Sequence, residues 1–146
     1  MKSLKRLLLP FTFLVGVGLW YACEDEGREG GADHNVGNDC LMCHKAGGAG
    51  EGIFGAGGTV FKVGTTIGAT GASVKLYTNA DGSGSPVVTM TSEVGGNFFT
   101  KSTINFGTGL YVKVSSANGT SSMMSPIPTG ACNSCHGIST GKITVQ

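Results

Sequence analysis

The sequence predicts a mainly β domain: a small Greek-key β-sandwich with a cysteine-bearing segment at each end. Three observations carry this. Residues 45–131 hold neither cysteine nor histidine, and their apolar residues fall in short β-prone runs rather than at helical spacing. Glycine accounts for 26 of the 146 residues with no Gly-X-Y period, which calls for frequent turns. The length suits one domain and is too short for an α/β barrel or a full dinucleotide-binding enzyme.

The strands follow in chain order. Residues 59–63 form the first run. Residues 73–78 alternate, with Val74, Leu76 and Thr78 on one face. Residues 86–91 make a third run, and 96–100 a fourth that contains Phe98 and Phe99. Residues 110–115 alternate again, placing Leu110, Val112 and Val114 on one face and Tyr111 and Lys113 on the other. Residues 80–85 read Ala-Asp-Gly-Ser-Gly-Ser, a turn between strands. Five or more short strands at close spacing fit a Greek-key sandwich.

The first residues read differently. Lys2, Lys5 and Arg6 precede an apolar run over 7–21, interrupted only by Thr12, Gly16 and Gly18. A basic start and a short apolar run are the pattern of a secretory signal, and the run is short for a transmembrane span. Ala22 and Cys23 follow it, then Glu24, Asp25 and Glu26. This junction resembles a bacterial lipoprotein cleavage site, which implies lipidation of Cys23, although Trp20 stands where that family usually has leucine. Ordinary secretion and an uncleaved anchor are the alternatives. The acidic run resembles the export signal of some surface lipoproteins. Cleavage would remove three of the ten basic residues, leaving seven against nine acidic ones. That balance speaks against nucleic acid as a partner. Residues 23–35 then form a polar, Gly-rich tether.

The other four cysteines fall as Cys40-Leu41-Met42-Cys43-His44 and Cys132-Asn133-Ser134-Cys135-His136. Both are C-x-x-C-H, the attachment signature of c-type haem. Two thiols three positions apart suit thioethers to the two vinyl groups of one porphyrin, and the adjoining histidine suits an axial ligand. The chain therefore resembles a small dihaem c-type cytochrome, on some ten residues and their flanks. The resemblance implies two covalently attached haems, with His44 and His136 on iron. Zinc held by four thiolates is an alternative, but it leaves both histidines unexplained. Structural disulfides are another, though bridges within C-x-x-C staple little chain. A thioredoxin-like motif lacks its βαβ context.

The sequence has three histidines. With two of them proximal, His34 is the candidate for a distal ligand, the alternative being a solvated tether residue. Met124, and next to it Met123, are candidates at the other iron, where a thioether would raise the potential. Both methionines also suit ordinary packing.

The central region resembles the transthyretin-like, carboxypeptidase-regulatory class of sandwich. The matching text is Gly58-Thr59-Val60, then Gly71-Ala72-Ser73-Val74-Lys75-Leu76-Tyr77. Thr91, Gly96-Asn97-Phe98 and Tyr111-Val112-Lys113-Val114 complete it. That resemblance implies a structural or adhesive role and no catalysis. Its placement between two haem motifs departs from the class. If the sandwich termini lie together the motifs are neighbours; if apart, each serves its own partner.

No carboxylate pair or catalytic triad stands out. Gly55-Ala56-Gly57-Gly58 lacks the lysine and the strand–helix context of a phosphate loop. The expected organisation is a signal at 1–22, the tether at 23–35, a first haem segment at 36–57, the sandwich at 58–125 and a second haem segment at 126–146. The expected role is electron transfer between redox proteins or within a multihaem assembly. The expected place is the bacterial cell envelope, in the periplasm or at the surface, with a lipid anchor in the outer membrane. Alternatives are a filament subunit, a haem enzyme or sensor with an open axial position, and a zinc-binding or disulfide-bearing adhesion domain.

Overall fold

The computed structural model describes residues 34–146. The signal, the lipidation site Cys23 and most of the tether lie outside the described residues. Among the described residues no helix is long and apolar enough to cross a membrane.

The chain forms two small sheets. One has the order β4-β1-β7, with β1 at Ala56–Lys62, β4 at Asn97–Thr100 and β7 at Ile143–Val145. The other has the order β3-β2-β5-β6, with β2 at Ser73–Tyr77, β3 at Val88–Thr91, β5 at Tyr111–Ser115 and β6 at Thr120–Ser122. The β-rich expectation therefore holds at the level of two sheets.

The alternation read from the sequence is visible in the burial. Val74, Leu76, Val112 and Val114 point inward and meet Val60, Met90, Phe98, Leu110 and Val145 in one apolar cluster. Burying such side chains stabilises a fold by about 1.5–3 kcal/mol each. Thr78 is exposed and lies past the end of β2. It falls where the chain enters the 80–85 turn and takes no part in the buried face. Lys75 and Lys113 sit opposite one another on the outer face of β2 and β5, and Lys113 instead reaches the backbone oxygen of Asp81.

β1 begins three residues earlier than expected and ends before Val63, which is exposed. Six of its seven residues are buried. Such a strand must be covered on both faces. Val60 faces the core, while Gly57, Thr59 and Phe61 face outward, where chain from before β1 covers them. β4 pairs antiparallel to the first half of β1, and β7 pairs parallel to the second half, Val60 opposite Ile143. Two further strands, β6 and β7, join those expected. β7 lies within the segment assigned to haem binding, so that segment also completes a sheet.

Candidate functional site

The two C-x-x-C-H motifs adopt one local design. Cys40–Cys43 is a single α-helical turn, α1, capped by Asp39, whose side chain accepts from the Leu41 amide at 3.1 Å. Cys132–Ser134 is a 3₁₀ turn. In each motif the histidine amide donates to the carbonyl of the first cysteine, His44 to Cys40 at 2.9 Å and His136 to Cys132 at 3.1 Å. Such a turn brings residues three apart to one side.

The histidines repeat each other as well. His44 Nδ1 lies 3.0 Å from the Glu51 carbonyl oxygen, and His136 Nδ1 lies 2.7 Å from that of Gly141. A carbonyl only accepts, so each Nδ1 donates and each neutral ring keeps its lone pair on Nε2. A ligating histidine is oriented in this way. His44 is buried and stacked on Phe54, ring centroids 3.9 Å apart and planes 3° apart. Phe54 in turn stacks on Phe99 at 4.4 Å. Gly50 makes room for the ring, since a β-carbon there would lie 2.7 Å from His44 Nδ1.

Both motifs converge on β1. A β-carbon at Gly57 would meet Cys40 at 3.2 Å, and one at Gly58 would lie 2.9 Å from the β-carbon of Cys132 and from Asn133 Oδ1. The Gly57 amide donates to the Gly130 carbonyl at 3.0 Å, and Gly57 pairs with Ala131. The second motif is thus looped out between two stretches that run parallel to β1. Of the two arrangements left open by the sequence, the structure shows the motifs as neighbours. A groove of about 300 Å³ lies between the flank that precedes the first motif and the second motif. Val36 and Asn38 line it from one side and Asn133 and Gly137 from the other, with Phe61 and Lys142 between.

Burial governs the thiols. Cys132 is pushed up to about 12, first by loss of solvent and then by the charges of Cys40 and Asp39. Burial also raises Cys40. Both thiols therefore stay protonated, and weakly nucleophilic, at neutral pH. Cys40, Cys132 and Cys135 are free thiols. Cys43 is disulfide-bonded.

The donor set fits c-type haem in the two turns, the two histidine orientations and three of the four thiols. The Cys43 disulfide does not fit, since a thioether needs that sulfur reduced. Among the described residues no group of three or more histidine, cysteine or acidic side chains converges as a metal-ion site.

The candidate distal ligands are placed unequally. The His34 ring centroid is 5.8 Å from that of His44, and its carbonyl accepts from Asn97 Nδ2 at 2.9 Å. Met124 is 92% exposed, and Met123 packs against the apolar cluster. Sequence reading did not single out Phe54, Thr59, Asn97 or Asn133. The signal available for Asn133 was an amide inside a C-x-x-C-H motif. Comparison of the chain with protein-family profiles, with curated proteins and with solved structures finds no match.

Proposed function

We propose that the chain is an exported dihaem c-type cytochrome that passes electrons between redox partners of the cell envelope. One observation carries the reading. Two motifs far apart in sequence share one backbone hydrogen bond, from the histidine amide to the first cysteine's carbonyl, and one histidine orientation, with the Nε2 lone pair left to ligate in both. A covalently bound haem supplies a reversible one-electron iron couple at each motif. The chain's own part is to hold the imidazoles, keep Cys40 and Cys132 partly buried and hold the two motifs adjacent on β1.

His34 is the distal residue this reading favours at the first motif. Its ring lies beside that of His44, centroids 5.8 Å apart, so it is the histidine that could serve as a second ligand there. Met124 and Met123 are the weaker candidates at the second. We read the two sheets as a Greek-key sandwich of the transthyretin-like kind. The pairing of β1 with β4 and of β2 with β5 supports this, because such connections pass between sheets.

The test is to express the full chain in cells that attach c-type haem. Mass spectrometry should show two haems, on Cys40 with Cys43 and on Cys132 with Cys135. The dithionite-reduced spectrum should show the sharp α-band of c-type haem. A bare chain with no such band would overturn the reading. A second reading, a disulfide-bearing adhesion domain, is favoured by the bonded Cys43. It predicts that Cys43 stays oxidised in the same cells and that no haem is gained.

A further inference from the structure

We propose that Thr59 is a positioning residue shared by both attachment segments: its hydroxyl sets the flank carrying His34, and its backbone amide sets the turn carrying Cys132 and His136. The functional meaning of this inference rests on the dihaem reading; its geometry does not.

Thr59 is fully buried in β1. Its Oγ1 accepts from the Gly37 amide at 2.9 Å and donates to Asn97 Oδ1 at 2.6 Å. Asn97 Nδ2 then donates to the His34 carbonyl at 2.9 Å. On the other side, the Thr59 amide donates to Asn133 Oδ1 at 2.7 Å, and Asn133 Nδ2 donates to the His136 carbonyl at 3.2 Å. One residue thus joins the approach to the first motif with the histidine of the second.

The chain of amides is buried and satisfied. Asn97 and Asn133 are both buried, and among the described residues no buried side-chain nitrogen or oxygen lacks a partner. The bonds of Thr59 to Asn97 and to Asn133 are buried and those reaching Gly37, His34 and His136 part-buried, so a partner lost at the centre of the network is the costly one. That is what a positioning network needs: small displacements of His34 or His136 are resisted. Asn133 is therefore not a spacer between cysteines but the pin that ties the second motif to β1. Thr59→Val keeps the volume and removes the hydroxyl, so the Gly37 amide and Asn97 Oδ1 lose this partner. Thr59→Ser restores it. Asn133→Leu removes the acceptor of the Thr59 amide and the donor to the His136 carbonyl, and leaves the Thr59 hydroxyl with both its partners.

The experiment uses the full chain, with and without attached haem. In the chain without haem, amide exchange by NMR should be about tenfold faster at Gly37 in Thr59→Val and at Thr59 in Asn133→Leu. It should return to the parent rate at Gly37 in Thr59→Ser. In the loaded protein, electron paramagnetic resonance should show altered g-values for the first ferric centre in Thr59→Val, with recovery in Thr59→Ser. Asn133→Leu should alter the second centre. Unchanged protection at Gly37 in Thr59→Val, or unchanged spectra of both centres in the fully loaded variant, would overturn the proposal. Should Thr59→Val not fold, Asn97→Ser removes the donor to the His34 carbonyl together with the acceptor of the Thr59 hydroxyl, and an unchanged first centre in that variant would overturn it equally. A chain that gains no haem defeats the dihaem reading, while the exchange rates still decide whether Thr59 ties the two segments.

Discussion

The Cys132 thiol keeps its proton to about 12 in the folded chain, against 9.0 for an ordinary thiol. Unfolding between those values releases a proton, so rising pH favours the unfolded chain. Stability is fully present below pH 9 and falls above it by about 1.4 kcal/mol per pH unit. Burial of Cys40 acts in the same sense. Urea unfolding of the chain without haem from pH 8 to 10.5 should show this slope, and Cys132→Ala should flatten it. A thioether has no such proton, so a haem-loaded chain should lack the Cys132 contribution. The cysteines and histidines were legible in the sequence because their chemistry is tied to spacing. Which nitrogen each histidine presents was not. The Glu51 and Gly141 carbonyls that decide it lie on loops without side-chain signature.

At the scale of elements, the glycines of β1 carry a meaning opposite to their usual one. Glycine weakens a strand and lowers its propensity, which is why the sequence reading started β1 at residue 59. Here the absence of side chains at Gly57 and Gly58 lets Cys40 and Cys132 approach the backbone. Gly58→Val would drive atoms into Cys132, Asn133 and the Phe98 ring, which lies 3.0 Å from a β-carbon at that position. Overpacking of this kind costs about 1–3 kcal/mol. Chemical denaturation should show that loss, with Gly71→Val, whose β-carbon meets nothing within 4 Å but whose φ is +79°, as a comparison for backbone strain alone. β2 and β5 were legible through their alternation. β6 was not, because Thr120–Ser122 is exposed and polar throughout. β7 was hidden by brevity, and its partner is distant in sequence.

At the scale of the molecule, the termini of the described chain meet on one strand, and that brings the two motifs together. Sequence patterns report the period of an element, not which elements become neighbours, so this convergence could only be read from the structure. It makes a prediction about truncation. Removing residues 143–146 deletes β7 and exposes the second edge of β1. Val145 is buried in the cluster, so its loss alone costs about 1.5–3 kcal/mol. The truncated chain should unfold at lower urea. Hydrogen exchange should show the loss of protection concentrated at the Val63 amide, which donates to the Val145 carbonyl at 3.1 Å.

The parallel seam between β1 and β7 also sets an order of events. β1 is made early, but its second neighbour is Ile143–Val145, made much later. Contacts of such long sequence separation close late in folding. As the polypeptide emerges, Cys40 and Cys43 are therefore available long before the sheet that covers them is finished. Cys132 and Cys135 emerge only just ahead of the strand that seals the seam. The first motif has ample time for covalent modification in open chain, and the second has little. On the proposed dihaem reading, attachment that lags behind folding should leave chains carrying haem at Cys40 and Cys43 alone, which mass spectrometry of the matured protein would show.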